Sequence, residues 1–202
     1  MLTIPLRPLR ILRSQRRYLS LKDVFVLLKN AFFRSDEILI YRKDLDSMKG
    51  CSKNDGDISI GRVDELEYAR RKIPSPPWEF YCHIYDRVTD FFLYKAKNGE
   101  IAHISWIYKK GDPNRIIDLG PQESEIKYSL TFPEFRGKGI YPAVLFKIQD
   151  HLRDKGVKRV FICVHQNNTP SIKGIQKAGF TFLAKIKLIK LLGFQINRKF
   201  SS

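Results

Sequence analysis

Along this chain, apolar positions switch between helical and strand spacing, and the switching predicts an α/β fold. From Ser20 to Phe33, the residues Leu21, Val24, Phe25, Leu28 and Phe32 share one helical face, and Ser20 with Asp23 makes a capping pattern. Glu37–Tyr41 predicts a first strand. The polar stretch 44–57, with Gly50 and Gly56, predicts a surface loop, and Val63–Lys72 a short helix that ends at Pro74, Pro76 and Pro77. Asp90–Lys97 and Glu100–Lys109 predict a hairpin closed by Asn98-Gly99. An edge strand is expected around Ile116-Ile117, and a longer strand over Glu125–Phe132. A helix follows over Ala143–Lys155, with Val144, Leu145, Ile148 and Leu152 on one face, Pro142 in its first turn and Gly156 at its C-terminal cap. Arg159–Val164 predicts a short strand, Ser171–Ala178 a short helix, and Phe180–Lys190 with Phe194–Lys199 two closing strands. The order implies a largely antiparallel sheet at the front and a crossover after Phe132.

Charge adds a second signal. The 202 residues carry 37 Lys and Arg against 21 Asp and Glu, a net charge of +16. From Lys155 to Ser202 there are ten basic and no acidic residues. Such a field attracts polyanions: nucleic acid, anionic lipid or a phosphorylated ligand. The leader holds Arg7, Arg10, Arg13, Arg16 and Arg17 with no acid before Asp23; Pro5 and Pro8 interrupt its apolar residues, so it predicts a basic arm over 1–19 rather than a secretory signal. No apolar run is long enough to span a bilayer. Cys51, Cys82 and Cys163 show no metal-ligand spacing, which points to reduced thiols, no metal and a cytoplasmic protein. The basic arm also suits the inner face of an anionic membrane.

The densest chemistry lies in Pro133–Pro142. Gly137 and Gly139 let a ligand approach the backbone, Arg136 and Lys138 add charge, and a helix opens immediately afterwards. A helix N-terminus fed by a Gly-bearing loop is a phosphate cradle.

The run Arg136-Gly137-Lys138-Gly139-Ile140 resembles the Arg/Gln-x-x-Gly-x-Gly/Ala pyrophosphate loop of the GNAT superfamily of N-acetyltransferases. Asn168-Thr169-Pro170-Ser171 and Lys177-Ala178-Gly179-Phe180 resemble that family's Asn-bearing turn and Gly-Phe ending. The match covers about Glu125 to Lys190. It implies a mixed, mostly antiparallel twisted sheet of six to seven strands flanked by helices and splayed between strands four and five. It implies one acyltransferase domain over 20–202, with an acceptor side over about 20–89 and a CoA-binding core over about 90–190. Acetyl-CoA is the implied acyl donor. Arg136, Gly137, Lys138, Gly139, Ile140 and Tyr141 would hold its diphosphate, the backbone of Ser129, Leu130 and Thr131 would pair with its pantetheine arm, and Asn168 and Ser171 would contact the arm or hold the splay. Two positions depart from the pattern. Tyr141 replaces a Gly or Ala and must turn away from the diphosphate, and Ile175 stands where many members carry a Tyr as acid for the leaving thiolate.

Amine acylation needs a base to take the amine's proton. Glu125, where histone-type members carry a catalytic Glu, and His165, just past the fifth strand, are the candidates; a solvent-facing Glu paired with Lys and a loop His bonded to backbone are the alternatives. His103 and Trp106 are expected to line an acceptor pocket, with sheet-face packing as the alternative. Trp78, Tyr81 and Tyr85 suit either an acceptor or core packing. The expected activity is N-acyl transfer to a primary amine, a small molecule or glycan such as an amino sugar of a surface-polysaccharide precursor, in a monomer or homodimer. The alternative is a non-catalytic module with the same fold that binds nucleic acid or a membrane through its basic face; no specific nucleic-acid motif is present.

Overall fold

Residues 33–45, 57–113, 116–191 and 194–201 are described by the computed structural model. Except for Phe33, which opens a strand instead, the expected Ser20–Phe33 helix lies outside them, as do the basic arm, Cys51 and most of the 44–57 loop. The chain divides into two compact units, one of residues 40–183 and one that includes 33–39 and 184–201.

In the first unit the strands run in the order β2 (Asp57–Ile60), β3 (Phe91–Lys95), β4 (Ile101–Lys109), β5 (Glu123–Thr131) and β6 (Arg159–His165), followed by the end of β1 (Phe33–Asp44). The neighbours β2/β3, β3/β4 and β4/β5 are antiparallel, whereas β5/β6 is parallel. Four helices are described: α1 (Val63–Lys72), α2 (Cys82–Tyr85), α3 (Ile140–Asp154) and α4 (Thr169–Lys177). A 3-10 turn, Trp78–Tyr81, leads into α2, and another, Pro133–Phe135, leads into the Gly loop.

The reasons are local. β4 is buried along almost its whole length, with His103 and Ser105 buried among its apolar residues. Below it, Leu66 of α1 packs with Phe80, Cys82, Val88, Phe91, Leu93, Ile104, Trp106 and Tyr108. Burying a side chain such as Leu66 contributes about 1.5–3 kcal/mol. Ala143, Val144, Leu145, Ile148 and Leu152 form the buried stripe of α3. At the C-terminus of α3, Gly156 at φ 76° lets the Val157 amide reach the Leu152 carbonyl at 3.0 Å.

Two expectations are corrected here. The segment around Ile116-Ile117 is not a strand; it runs as an unpaired connection into Gly120 and Pro121. Asp57–Ile60, at the end of the expected loop, pairs with β3 as an edge strand, so the strand before the Gly loop is β5 and the strand after α3 is β6.

In the second unit, β7 (Thr181–Leu191) pairs antiparallel with β8 (Phe194–Ser201), from Lys185↔Ser201 to Leu191↔Phe194. Ile186 and Leu188 are buried on either side of the exposed Lys187, and Lys185 Nζ lies 2.8 Å from Glu37 Oε2.

Candidate active site

The site is built where β5 and β6 part. Their parallel register holds only for Glu123↔Arg159, Ser124↔Val160 and Glu125↔Phe161. Beyond that point β5 carries a bulge: Ile104 faces Leu130 but Trp106 faces Lys127, so Tyr128 and Ser129 share one place opposite Ser105. Tyr128 takes φ 46°, unusual for an aromatic residue. The extra residue bends β5 away from its parallel neighbour and leaves the backbone of Ser129, Leu130 and Thr131 facing an open fork.

The Gly loop closes the end of that fork. Gly137 and Gly139 have φ 78° and 72°, and a Cβ on either would meet nothing within 4 Å. Gly139 is the N-cap of α3; the amides of Ile140 and Tyr141 in its first turn have no intrahelical acceptor, whereas Pro142 has no amide hydrogen to offer. Arg136 Nε donates to the Thr131 carbonyl at 3.0 Å, which ties the loop to the end of β5, and Lys138 Nζ sits 5.2 Å from the Phe135 ring centroid. Across the fork, Asn168 caps α4: its Oδ1 accepts from the Ser171 amide at 3.3 Å. Asn168 therefore holds the turn after β6. His165 is exposed at the end of β6, four residues past Phe161, and its carbonyl accepts from the Asn168 amide at 2.9 Å.

Glu125 stands at the root of the fork. It is 1% exposed, and neither carboxylate oxygen has a conventional hydrogen-bond partner. Burial pushes its pKa above the ordinary carboxylate range, opposed by the Lys127 ammonium 3.8 Å from Oε2 and more weakly by the Cys163 thiol. Of the alternative reading, the solvent-facing part fails on burial, whereas the lysine partner is present as Lys127. Lys127 Nζ also lies 4.3 Å from the Tyr108 ring centroid and 5.6 Å from that of Tyr128. Tyr108 faces Glu125 in the register and donates its hydroxyl to Asp86 Oδ2 at 2.6 Å. Above them Trp78 stacks on Tyr85 at 4.7 Å and meets Tyr128 edge-on at 6.3 Å. Trp78 is 39% and Tyr85 63% exposed, so this pair forms an open aromatic lip. Sequence reasoning missed Lys127, Tyr108 and Tyr128. The alternation of β5, which sets Glu125 and Lys127 on one face, was the available signal.

Two expected acceptor residues sit elsewhere. Trp106 is wholly buried; its Nε1 donates to the Glu79 carbonyl at 2.8 Å and its ring packs 4.4 Å from that of Phe91, so it is a core residue. His103 is 1% exposed, with Nδ1 2.7 Å from Thr131 Oγ1 and Nε2 2.7 Å from Ser105 Oγ. Both ring nitrogens are engaged in the sheet, and none is left for an acceptor. Burial holds His103 down at about 3, hence neutral at working pH. The unfolded chain takes up that proton first, so stability is lost as pH falls from about 6.5 towards about 3. The thermal midpoint should drop over this window, and H103Q should flatten the drop.

Tyr141 does turn away from the loop, as its bulk requires. Its ring lies 5.5 Å from that of His103 and above Gly174, where a Cβ would come within 2.6 Å of it. Ile175 is fully buried. A cleft of about 900 Å³ in the same unit, lined by Tyr68, Phe132 and Phe135, contains none of Glu125, Gly139 or Asn168; the site is a strand fork rather than a deep cavity.

The profile of the acetyltransferase (GNAT) family matches residues 62–180, from the start of α1 to the start of β7. The chain belongs to the GNAT acetyltransferase family. Among solved structures, a GNAT acetyltransferase from Colwellia psychrerythraea aligns with a TM-score of 0.56 at 17% identity, over 87% of this chain and 62% of its own. The GCN5-related N-acetyltransferase of Sphaerobacter thermophilus gives 0.55 at 16%, over 87% and 58%. These share the GNAT fold: a mixed sheet flanked by helices. Among curated relatives, the mycothiol acetyltransferase of Nocardiopsis dassonvillei is 30% identical over 45% of this chain, and the N-acetyltransferase YdgE of Bacillus subtilis is 26% identical over 52%. The chain spans 27% and 63% of those two proteins.

As a GNAT site, the fork fits acetyl-CoA. The open glycine mouth and helix amides would hold the diphosphate, and the bulged edge of Ser129–Thr131 would hold the pantetheine arm. Bound there, the group supplies an activated acyl carbon. No cluster of His, Cys, Asp or Glu suited to a metal occurs among the described residues.

Proposed function

We propose that this chain transfers an acetyl group from acetyl-CoA to a primary amine by direct attack, with Glu125 as the base. The observation that carries this reading is the buried, poorly partnered Glu125 carboxylate at the point where β5 and β6 separate. A buried carboxylate with so few partners costs stability, and such groups cluster at functional sites. Lys127 beside it disfavours a second cation, which keeps an arriving amine neutral and nucleophilic. His165, exposed at the far end of β6, contributes to binding rather than to proton abstraction.

The acceptor class we favour is an amino sugar, as in a surface-polysaccharide precursor. The supporting feature is the Trp78–Tyr85 pair, which joins through Tyr128 and Lys127 to Glu125. A flat aromatic lip suits the apolar face of a sugar ring. The basic N-terminal arm would hold the enzyme near an anionic membrane face where such precursors are lipid-linked.

The test is a panel of amino sugars, polyamines, amino acids and peptide amines, with released CoA thiol as readout. Hexosamines are expected to turn over fastest. W78A is expected to raise the hexosamine KM about tenfold, the loss of one aromatic contact, with acetyl-CoA affinity unchanged. Preference for a peptide amine, insensitive to Trp78, would overturn the sugar assignment but not the acyl transfer.

A further inference from the structure

We propose that His103 is a positioning residue for the donor: by bridging Ser105 and Thr131 it holds the bulged edge of β5 in the shape that receives the pantetheine arm. The inference rests on the acetyl-CoA reading above. Three contacts form one chain. Thr131 Oγ1 lies 2.7 Å from His103 Nδ1, His103 Nε2 lies 2.7 Å from Ser105 Oγ, and Ser105 Oγ lies 2.7 Å from Ser129 Oγ. His103 and Ser105 are both buried on β4. Ser129 and Thr131 are the two ends of the β5 segment whose backbone faces the fork.

The bulge needs such a lock. Its extra residue interrupts the ladder, and Tyr128 within it takes φ 46°, a conformation that persists only where the surroundings over-determine it. Without the extra residue, the register that sets Trp106 against Lys127 would run on to Ser105 against Tyr128 and His103 against Leu130. Neither cross-strand link could then form, because Ser129 and Thr131 would each have moved one place and turned to the other face. With the bulge, His103 meets Thr131 and Ser105 meets Ser129. The chain therefore favours the bulged register over the regular one. Burial keeps His103 neutral, so one ring nitrogen donates and the other accepts, and the chain runs in one direction. Thr131 is held a second time: its carbonyl accepts from Arg136 Nε at 3.0 Å. The pantetheine edge and the diphosphate loop are thus fixed to each other through one residue.

A leucine at position 103 would fill similar space and form neither link. The core under α1 lies on the opposite face of β4 and would stay packed. The Gly loop and the first turn of α3 would still offer their amides to a diphosphate. The loss should therefore fall on the pantetheine arm and on the alignment of the thioester carbon, which carries much of the rate.

The decisive experiment titrates wild type and H103L calorimetrically with CoA and with 3′-phosphoadenosine 5′-diphosphate, which keeps the diphosphate and lacks the pantetheine arm. H103L should bind CoA about tenfold more weakly, the worth of one buried hydrogen bond, and bind the fragment within about twofold of wild type. H103Q, whose amide can donate to one partner and accept from the other, should recover CoA binding to within about threefold of wild type. In turnover, H103L should lower kcat at saturating acetyl-CoA by about tenfold. S105A parts Ser129 from the chain and leaves His103 in place; it should show the same split between CoA and the fragment, which keeps the test open if H103L does not fold. Equal weakening of CoA and the fragment, unweakened CoA, or no recovery in H103Q would overturn the proposal and leave the acetyl-CoA reading standing. Wild type that binds neither ligand would overturn that reading and this inference with it.

Discussion

Glu125→Gln is expected to move activity and stability in opposite directions. As base, Glu125 must be ionised, so E125Q should lower kcat by about 10²–10⁴-fold. Acetyl-CoA affinity should be unchanged, because the residue lies at the root of the fork, away from the glycine mouth. In the fold its pKa is raised, chiefly by burial. The native state therefore holds a proton that the unfolded chain has released, and stability is lost as pH climbs from the ordinary Glu value near 4.5 through the raised value. A Gln of the same shape carries no charge to desolvate. E125Q should thus raise the thermal midpoint at neutral pH, each kcal/mol relieved being worth about 2–4 °C in a chain of this size, and should match wild type below pH 4. The activity of wild type should rise with pH through the raised pKa, and that limb should vanish in E125Q. Scanning calorimetry and a pH–rate profile read both effects. Wild-type turnover in E125Q, or a lower midpoint at neutral pH, would remove Glu125 from the mechanism.

Much of this site was legible in the sequence because its parts are local. The Gly loop, its helix and the Asn168 cap each lie within a few consecutive residues, and turn chemistry specifies them directly. The hairpin at Asn98-Gly99 and the amphipathic face of α3 are equally local. What failed needed tertiary partners. On β4 both faces are buried; alternation sets His103 and Trp106 on opposite faces, but which face meets the core under α1 and which the Tyr141 side depends on tertiary partners. The β5 bulge cannot be read from Lys127-Tyr128-Ser129 alone; it appears only when β4 is laid beside β5. The direction of Tyr141 depends on Gly174, a residue of another helix. The strand Asp57–Ile60 has four residues and no alternation long enough to announce itself.

Gly139→Trp gives the largest expected loss of donor binding. Gly139 caps α3 at φ 72°, and beyond its absent Cβ lies open space within 4 Å. The indole would project into the mouth where the diphosphate is expected, displacing it from the Ile140 and Tyr141 amides. Losing two charge-assisted hydrogen bonds of this kind should weaken acetyl-CoA by at least about 10²-fold. The fold itself should lose only about 1–2 kcal/mol, the cost of an L side chain in a left-handed conformation. Gly111 supplies the control: it has φ 94° and equally open surroundings, but it lies in the turn after β4, outside the fork. G111W should carry the same backbone penalty and bind acetyl-CoA as wild type does. Ligand-induced thermal shift measures both variants on one scale. If G139W keeps its acetyl-CoA shift, the diphosphate does not sit at this helix; if G111W loses it too, the loss reports general damage. The contrast separates a glycine kept for a ligand from one kept for a turn.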